Sequence, residues 1–368
     1  MSQTSVLRPV MLAAGGTGGH VFPAEALAGE LAARGVAFAL VTDSRGRNWQ
    51  GALASHPIHY VRAASPSGNA VARAKGLVIL GLGFLQALGV LRRVPPSAVV
   101  GFGSYASVPT MLAARLRGVP SVIHEQNAVL GRANRLLAGG AAAIATAFAS
   151  VRHLGRGDRR VALVGNPVRD AVRRTRELPY AAPQSGERLK LVVIGGSQGA
   201  AAFSDIIPQA VLMLPADLRA RLSLAQQCRP EDIERVRRTY AEAGVDAELA
   251  TFFSDFPARL AGAHLVIARS GASTVAEISV SGRPSILVPY PHATEDHQRA
   301  NAVALDEVGA CLLLPQERFT AAALAEHMRG LFEQPERLAT MAAAARAAGH
   351  PDAAARLADL VLAMSRKK

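Results

Sequence analysis

Along the chain, short apolar runs alternate with glycine-rich or polar turns, and each turn is followed by apolar positions at helical spacing. Residues 10–14 form the first run. Gly15-Gly16-Thr17-Gly18-Gly19-His20 follows, and Ala24, Leu27, Ala28, Leu31 and Ala32 then recur three or four apart, which predicts strand, glycine loop, helix. Residues 37–41 predict a second strand. Residues 98–100 predict a strand running into Gly101-Phe102-Gly103-Ser104-Tyr105, and residues 109–117 a helix. Residues 121–123 predict a strand ending at His124-Glu125-Gln126-Asn127, with further strands at 141–146 and 160–164. Gly165-Asn166-Pro167-Val168-Arg169 then breaks the pattern, and residues 180–187, with Pro183, Ser185 and Gly186, read as linker.

The alternation then starts again. Residues 189–194 are an apolar, β-branched run, Gly195-Gly196-Ser197-Gln198-Gly199-Ala200 is a second glycine turn, and Phe203, Ile206, Ile207 and Val211 mark a helix. Residues 265–268 predict a strand feeding Arg269-Ser270-Gly271, and residues 285–289 another before a polar segment, 291–301. Strands and helices in alternation predict an α/β protein of two similar nucleotide-fold domains, residues 1–169 and 170–350.

Charge changes this picture more than composition does. The chain has 368 residues, half of them hydrophobic, which is enough for two cores. Its two cysteines suggest neither a disulfide framework nor a metal site, and the N-terminus lacks a basic start or cleavage site, so the expectation is a reducing cytoplasm. The net charge is +13, and all of the excess lies in residues 1–169, where 18 Lys and Arg face 5 Asp and Glu. No acidic residue occurs between Asp43 and Glu125. Such a one-sided field implies an anionic partner, either nucleic acid or a membrane surface.

Residues 77–91 decide between them. The stretch is uncharged and strongly apolar, flanked by Arg73, Lys75, Arg92 and Arg93, and it is shorter than the roughly 20 residues that a spanning helix needs. That suits a helix lying on an anionic lipid surface through residues 73–93, while a buried core helix is the alternative. Nucleic acid would favour basic residues interleaved with exposed aromatics, and only 5% of the chain is aromatic.

The turns carry the candidate chemistry. His20 sits near a helix N-terminus, where the dipole disfavours imidazolium and leaves a ring that can accept a proton. Glu125 and Asn127 end a parallel strand, where open α/β sheets bind ligands. Neither glycine loop has G-x-G-x-x-G in the expected register, and no acidic residue closes a strand at the distance a dinucleotide ribose needs, which weakens a dehydrogenase reading. Residues 269–277 place hydroxyls and a glycine at a helix start, a pyrophosphate cradle, with Glu277 able to accept two ribose hydroxyls. Gln298 and Asn301 could hydrogen-bond a sugar. No Asp-x-Asp occurs, so a carboxylate-held metal is not evident.

Six motifs in order, Gly-Gly-Thr-Gly-Gly-His at 15–20, His-Glu-Gln-Asn at 124–127, Gly-Asn-Pro-Val-Arg at 165–169, Gly-Gly-Ser-Gln-Gly-Ala at 195–200, Arg-Ser-Gly-Ala at 269–272 and Asp-His-Gln at 296–298, resemble the MurG family. Members of that family move N-acetylglucosamine from UDP onto undecaprenyl-pyrophosphoryl-N-acetylmuramoyl-pentapeptide (lipid I), making lipid II for peptidoglycan. The resemblance implies a GT-B fold, two Rossmann-like domains facing across a cleft, with residues 352–368 returning to the first domain after the break at His350-Pro351. It implies that Thr17, Gly18, Gly19, Asn127, Arg169, Ser197 and Gln298 contact UDP-N-acetylglucosamine. It further implies that Ala272, Ser273, Thr274, Val275, Ala276 and Glu277 hold the uridine ribose and diphosphate, Glu277 through the ribose hydroxyls, and that Ser254 lines the uracil pocket through its main chain. Family members often carry an aliphatic residue where Ser254 stands. An inverting displacement follows, with His20 as the base for the C4 hydroxyl of the muramoyl sugar and Glu125 the weaker candidate; no cofactor is implied. The expected setting is peripheral, on the cytoplasmic face of the bacterial inner membrane, among cell-wall synthesis proteins and without nucleic acid. A UDP-sugar epimerase and a non-catalytic lipid-carrier binding protein are the competing classes.

Overall fold

Val10-Met11-Leu12-Ala13 is apolar at every position because it becomes the central strand of a parallel sheet covered on both faces. The computed structural model describes residues 8–15, 18–48, 56–155, 157–196 and 200–366. It divides into two units, one of Met1–Arg169 with Asp352–Lys368, the other of Asp170–Pro351.

In the first unit β1 (Val10–Ala13) leads to α1 (Gly18–Ala33), β2 (Phe38–Thr42), β3 (Ile58–Tyr60), α2 (Ala70–Arg93), β4 (Ala98–Gly101) and α3 (Ser104–Leu116). β5 (Ser121–Glu125), α4 (Arg132–Ala138), β6 (Ala143–Thr146) and β7 (Val161–Leu163) complete it. The strand order is β3-β2-β1-β4-β5-β6-β7, and every pair is parallel. Val10 stands opposite Phe38 on one side and Ala98 on the other. Alternate residues serve alternate faces. Val10 and Leu12 pack with Leu27, Leu31 and Phe102, whereas Met11 packs with Leu91, Met111 and Ile123.

The second unit runs α5 (Asp170–Thr175), β8 (Leu189–Ile194), α6 (Ala201–Leu212), α7 (Ala216–Arg221), β9 (Leu222–Gln227), α8 (Ile233–Glu242), β10 (Asp246–Ala250) and α9 (Phe256–Gly262). It continues through β11 (Leu265–Ala268), α10 (Ala272–Ser281), β12 (Ser285–Leu287), α11 (His297–Asp306), β13 (Cys311–Leu313), α12 (Ala321–Phe332) and α13 (Pro335–Ala348). Its sheet is also wholly parallel, in the order β10-β9-β8-β11-β12-β13. The last helix, α14 (Ala353–Ser365), belongs to the first unit: Leu357, Ala358 and Val361 share a core with Leu27 and Leu31, and Asp359 pairs with Arg34.

Strand order reverses between β1 and β4 and again between β8 and β11. At such a reversal the flanking helices leave to opposite faces, which opens a crevice at the carboxyl ends of the strands. His20 follows β1, and Arg269 follows β11.

The apolar stretch at 77–91 is the middle of a longer helix than the sequence suggested. Asn69 caps α2, accepting from the Ala72 N–H at 2.9 Å, and the helix of 24 residues contains Arg73, Lys75, Arg92 and Arg93. By length and composition it is long enough to cross a membrane, which corrects the expectation of a segment too short to span. Its packing makes it a crossover of this sheet instead. Gly76, Gly83, Ala87, Val90 and Leu91 are buried, and a Cβ on Gly83 would come 1.8 Å from the Arg62 carbonyl oxygen. The opposite side, with Val71, Leu77, Val78, Leu82 and Leu85, is exposed. One helix therefore carries a core face and an uncovered apolar face.

Candidate active site

In the first unit, residues leaving β1, β4 and β5 meet around one imidazole. His20 is the third residue of α1; the residue is half-buried, and its Nδ1 is shielded from solvent without a hydrogen-bond partner among the described residues. Gly103, just past β4, borders the ring. It sits at φ 78°, and a Cβ there would lie 3.5 Å from His20 Cε1 and 3.4 Å from Asn134 Nδ2. Burial pushes the His20 imidazole below its ordinary value; the Glu125 charge, the Phe102 carbonyl and the Gln126 side chain pull it partly back, and Arg45 pushes it down again. The ring is thus neutral at neutral pH and keeps a lone pair for a proton.

β5 delivers the supporting groups. His124 is fully buried; its Nε2–H donates to the Gly165 carbonyl at 3.0 Å, and its Nδ1 accepts from Gln126 Nε2 at 3.1 Å. Burial holds this imidazole at about 4. Gln126 Nε2 also reaches the Phe102 carbonyl, at 3.0 Å, so the strand ends of β4 and β5 are tied behind His20. Glu125 is fully committed. Its Oε1 accepts from the Asn127 N–H at 3.0 Å and from Asn127 Nδ2 at 3.3 Å, while Oε2 accepts from the Gly131 N–H at 2.9 Å and from Asn134 Nδ2 at 2.7 Å. Asn127 is therefore oriented by the carboxylate beside it. Arg169 lies with its guanidinium 4.7 Å above the Phe22 ring, two residues beyond His20 on α1. Gly19 is exposed in the first turn of that helix and Gly18 begins it, while Thr17 lies outside the described residues.

In the second unit the corresponding edge is built around α10. Gly271 is its N-cap and brings no side chain to cap the first turn, so the amides of Ala272, Ser273 and Thr274 open the helix at its positive end. Ser273 Oγ is buried and without a partner among the described residues. Val275, Ala276 and Glu277 continue the helix, with Glu277 buried in the second turn. Ser270 takes a different part from the one expected. Its hydroxyl donates to the Gln298 carbonyl at 2.8 Å, and its own carbonyl accepts from Asn301 Nδ2 at 3.1 Å. Asn301 is fully buried, which corrects its reading as a sugar contact. Gln298 Oε1 accepts from the Tyr290 N–H at 2.9 Å, which leaves its Nε2 to donate elsewhere. Ser254 is exposed in the turn after β10, and Ser197 lies outside the described residues.

Sequence reasoning quoted Arg269 without giving it work. The residue is buried, with its guanidinium 4.8 Å from the Phe203 ring and 5.6 Å from the Tyr290 ring, and Nη1 donates to the Val288 and Pro289 carbonyls at 3.1 and 3.0 Å. Burial lowers it to about 10. It pins the start of the loop between β12 and α11, the helix that carries Gln298, and a lone arginine directly after an apolar strand was the available signal. Among the described residues no group of three or more His, Cys, Asp or Glu is placed to hold a metal ion.

Residues 10–146 match the glycosyltransferase family 28 N-terminal domain, and residues 190–357 match the glycosyltransferase family 28 C-terminal domain. A protein of Rhodospirillum centenum, 54% identical over 97% of this chain and 94% of its own length, is named UDP-N-acetylglucosamine--N-acetylmuramyl-(pentapeptide) pyrophosphoryl-undecaprenol N-acetylglucosamine transferase. The crystal structure of Acinetobacter baumannii MurG superposes with a TM-score of 0.77 and 28% identity, covering 97% of this chain and 99% of that one. The chain belongs to the MurG family.

Its fold is accordingly GT-B, the two parallel-sheet units being the family's N- and C-terminal domains. The UDP-GlcNAc 2-epimerase of Neisseria meningitidis, with a TM-score of 0.69 but only 14% identity over 96% of this chain and all of its own, is similar in fold. The structure hydrogen-bonds Glu125 to Asn127 and sets the Glu125 charge near His20, stacks Arg169 over Phe22 of the same helix, and bonds Ser270, two residues before Ala272, to the Gln298 carbonyl.

Proposed function

We propose that this protein is an inverting glycosyltransferase that moves N-acetylglucosamine from UDP-N-acetylglucosamine to the C4 hydroxyl of the muramoyl sugar of lipid I, giving lipid II. Its 54% identity over nearly its full length to a relative of that name is the observation that carries the reading. The second unit takes the nucleotide. The uncapped first turn of α10, with Ser273 Oγ, supplies N–H and hydroxyl donors for the diphosphate, where charge grows as UDP departs. Glu277 accepts the ribose hydroxyls, Gln298 donates through Nε2, and the main chain at Ser254 meets uracil.

The first unit takes the acceptor and removes its proton. An alcohol is a weak nucleophile until a base accepts its hydrogen as the new bond forms. His20, neutral because it is buried, accepts that proton while the anomeric carbon inverts. Glu125 spends both oxygens on four N–H donors and serves instead to orient Asn127 and to place negative charge near the imidazolium as it forms. Arg169 and the Gly18-Gly19 turn offer further donors to the sugar nucleotide. The uncovered face of α2, with Arg73, Lys75, Arg92 and Arg93, rests on the anionic cytoplasmic leaflet where lipid I resides.

Replacing the base tests this arrangement. His20→Ala is expected to lower turnover by roughly 10²- to 10⁴-fold with UDP-N-acetylglucosamine affinity nearly unchanged. An almost unaltered rate would assign proton transfer to another group.

A further inference from the structure

Gln227 has no place in the chemistry above, yet it joins the two loops to which the nucleotide is assigned. It is the last residue of β9, which lies between β8 and β10 in the second sheet. Its side chain is 6% exposed, so its amide has no ready access to water. Oε1 accepts from the Gly195 N–H at 3.1 Å, and Nε2 donates to the Thr251 carbonyl at 3.0 Å. Gly195 is the first residue after β8 and opens the glycine turn ahead of Ser197. Thr251 is the first residue after β10 and opens the turn that holds Ser254. The parallel ladder ends at these points, so a single side-chain amide continues the pairing on both sides.

We infer that Gln227 is a positioning residue for the sugar nucleotide, fixing the glycine turn at Gly195 and the uracil turn at Thr251 relative to one another through its one bifunctional amide. This rests on the nucleotide reading above. A carboxylamide is needed because the left neighbour offers a hydrogen and the right neighbour a lone pair; no other side chain of this length presents an acceptor and a donor on one carbon. The adjacent Gln226 is spent differently, accepting from the Tyr240 hydroxyl at 2.6 Å, so it cannot take over. Gly196, at φ 91°, turns the chain immediately after the anchored residue.

Two substitutions in the full chain test this, with UDP as the titrated ligand and UDP-N-acetylglucosamine in the transfer assay. Gln227→Met keeps the volume and removes both hydrogen bonds; the UDP Kd and the sugar-nucleotide KM should rise about tenfold, while kcat at saturation stays within about twofold. Gln227→Glu keeps the acceptor for Gly195 but, when ionised, faces the Thr251 carbonyl with a second acceptor. Protonation restores the donor, so the variant's UDP Kd relative to wild type should be highest near pH 8.5 and shrink toward pH 6. The Glu variant decides the matter alone if the Met chain does not fold. A Met variant with wild-type UDP affinity, or a Glu variant whose ratio to wild type does not change with pH, overturns the inference even if both melt at lower temperature. Wild-type chain that fails to bind UDP would instead overturn the nucleotide reading on which the inference rests.

Discussion

His124 shows how one buried side chain can make the whole unit sensitive to acid. Its folded value of about 4 lies below the ordinary 6.5, because burial penalises the imidazolium. Between those values the unfolded chain binds a proton that the folded chain does not, so stability is complete above pH 6.5 and falls as pH drops toward 4. Across the full window the loss is about 3 kcal/mol. His124→Asn removes that titration, and the difference in melting temperature between pH 7 and pH 5 should shrink; an unchanged difference would place the acid sensitivity elsewhere. Glu125 makes a separate prediction. Glu125→Gln presents an NH₂ group to donors at Asn127, Gly131 and Asn134 and should destabilise the chain by about 1–3 kcal/mol, read as a lowered melting temperature. The sequence revealed His20 because it follows a glycine turn at a helix start, and Glu125 and Asn127 because they close an apolar strand. It concealed Asn134 and Gln126, whose work is defined by partners up to 24 residues away, and it misassigned Asn301 because burial is not written in a polar segment.

At the level of elements, continuous apolar runs were readable and mixed ones were not. β1 and β11 are buried at every position and lack any polar interruption, and β8 is broken only by the exposed Lys190. β3, β9 and β10 carry His59, Ser223, Gln226, Asp246 and Glu248, so no continuous apolar run marks them, and the alternation in β9 and β10 lasts only about four residues; the half-exposed flanks of β3 and β10 follow from their places at the sheet edges. α2 was underestimated for a related reason. Its charged ends look like flanks in the sequence, yet Asn69 starts the helix before Arg73, and Arg92 and Arg93 complement its carboxyl end. Because Leu77, Val78 and Leu85 are exposed, replacing all three with Glu should leave the melting temperature within a degree or two of wild type. The same variant should lose flotation with vesicles containing anionic phospholipid, and added salt should weaken wild-type binding in the same assay. Undiminished flotation would remove α2 from the lipid-facing role.

For the whole molecule, the legible features were repetition and charge. Two strand, glycine turn, helix units announced two nucleotide-type sheets, and the concentration of all excess positive charge in residues 1–169 separated the duties proposed for them. The return of α14 to the first core, with Leu357 and Val361 beside Leu31, depends on packing that no local pattern encodes. The proposed activity requires that both units act on one pair of substrates, and it requires inversion, because a single displacement leaves no covalent sugar on the protein. The most direct measurement incubates the purified chain with UDP-N-acetylglucosamine labelled in the sugar and lipid I in anionic vesicles, then assigns the anomeric configuration of the lipid product by NMR. The account predicts one UDP released for each labelled disaccharide lipid, all of it β-linked from the α-linked donor. Release of UDP without labelled lipid, or an α-linked product, would contradict it.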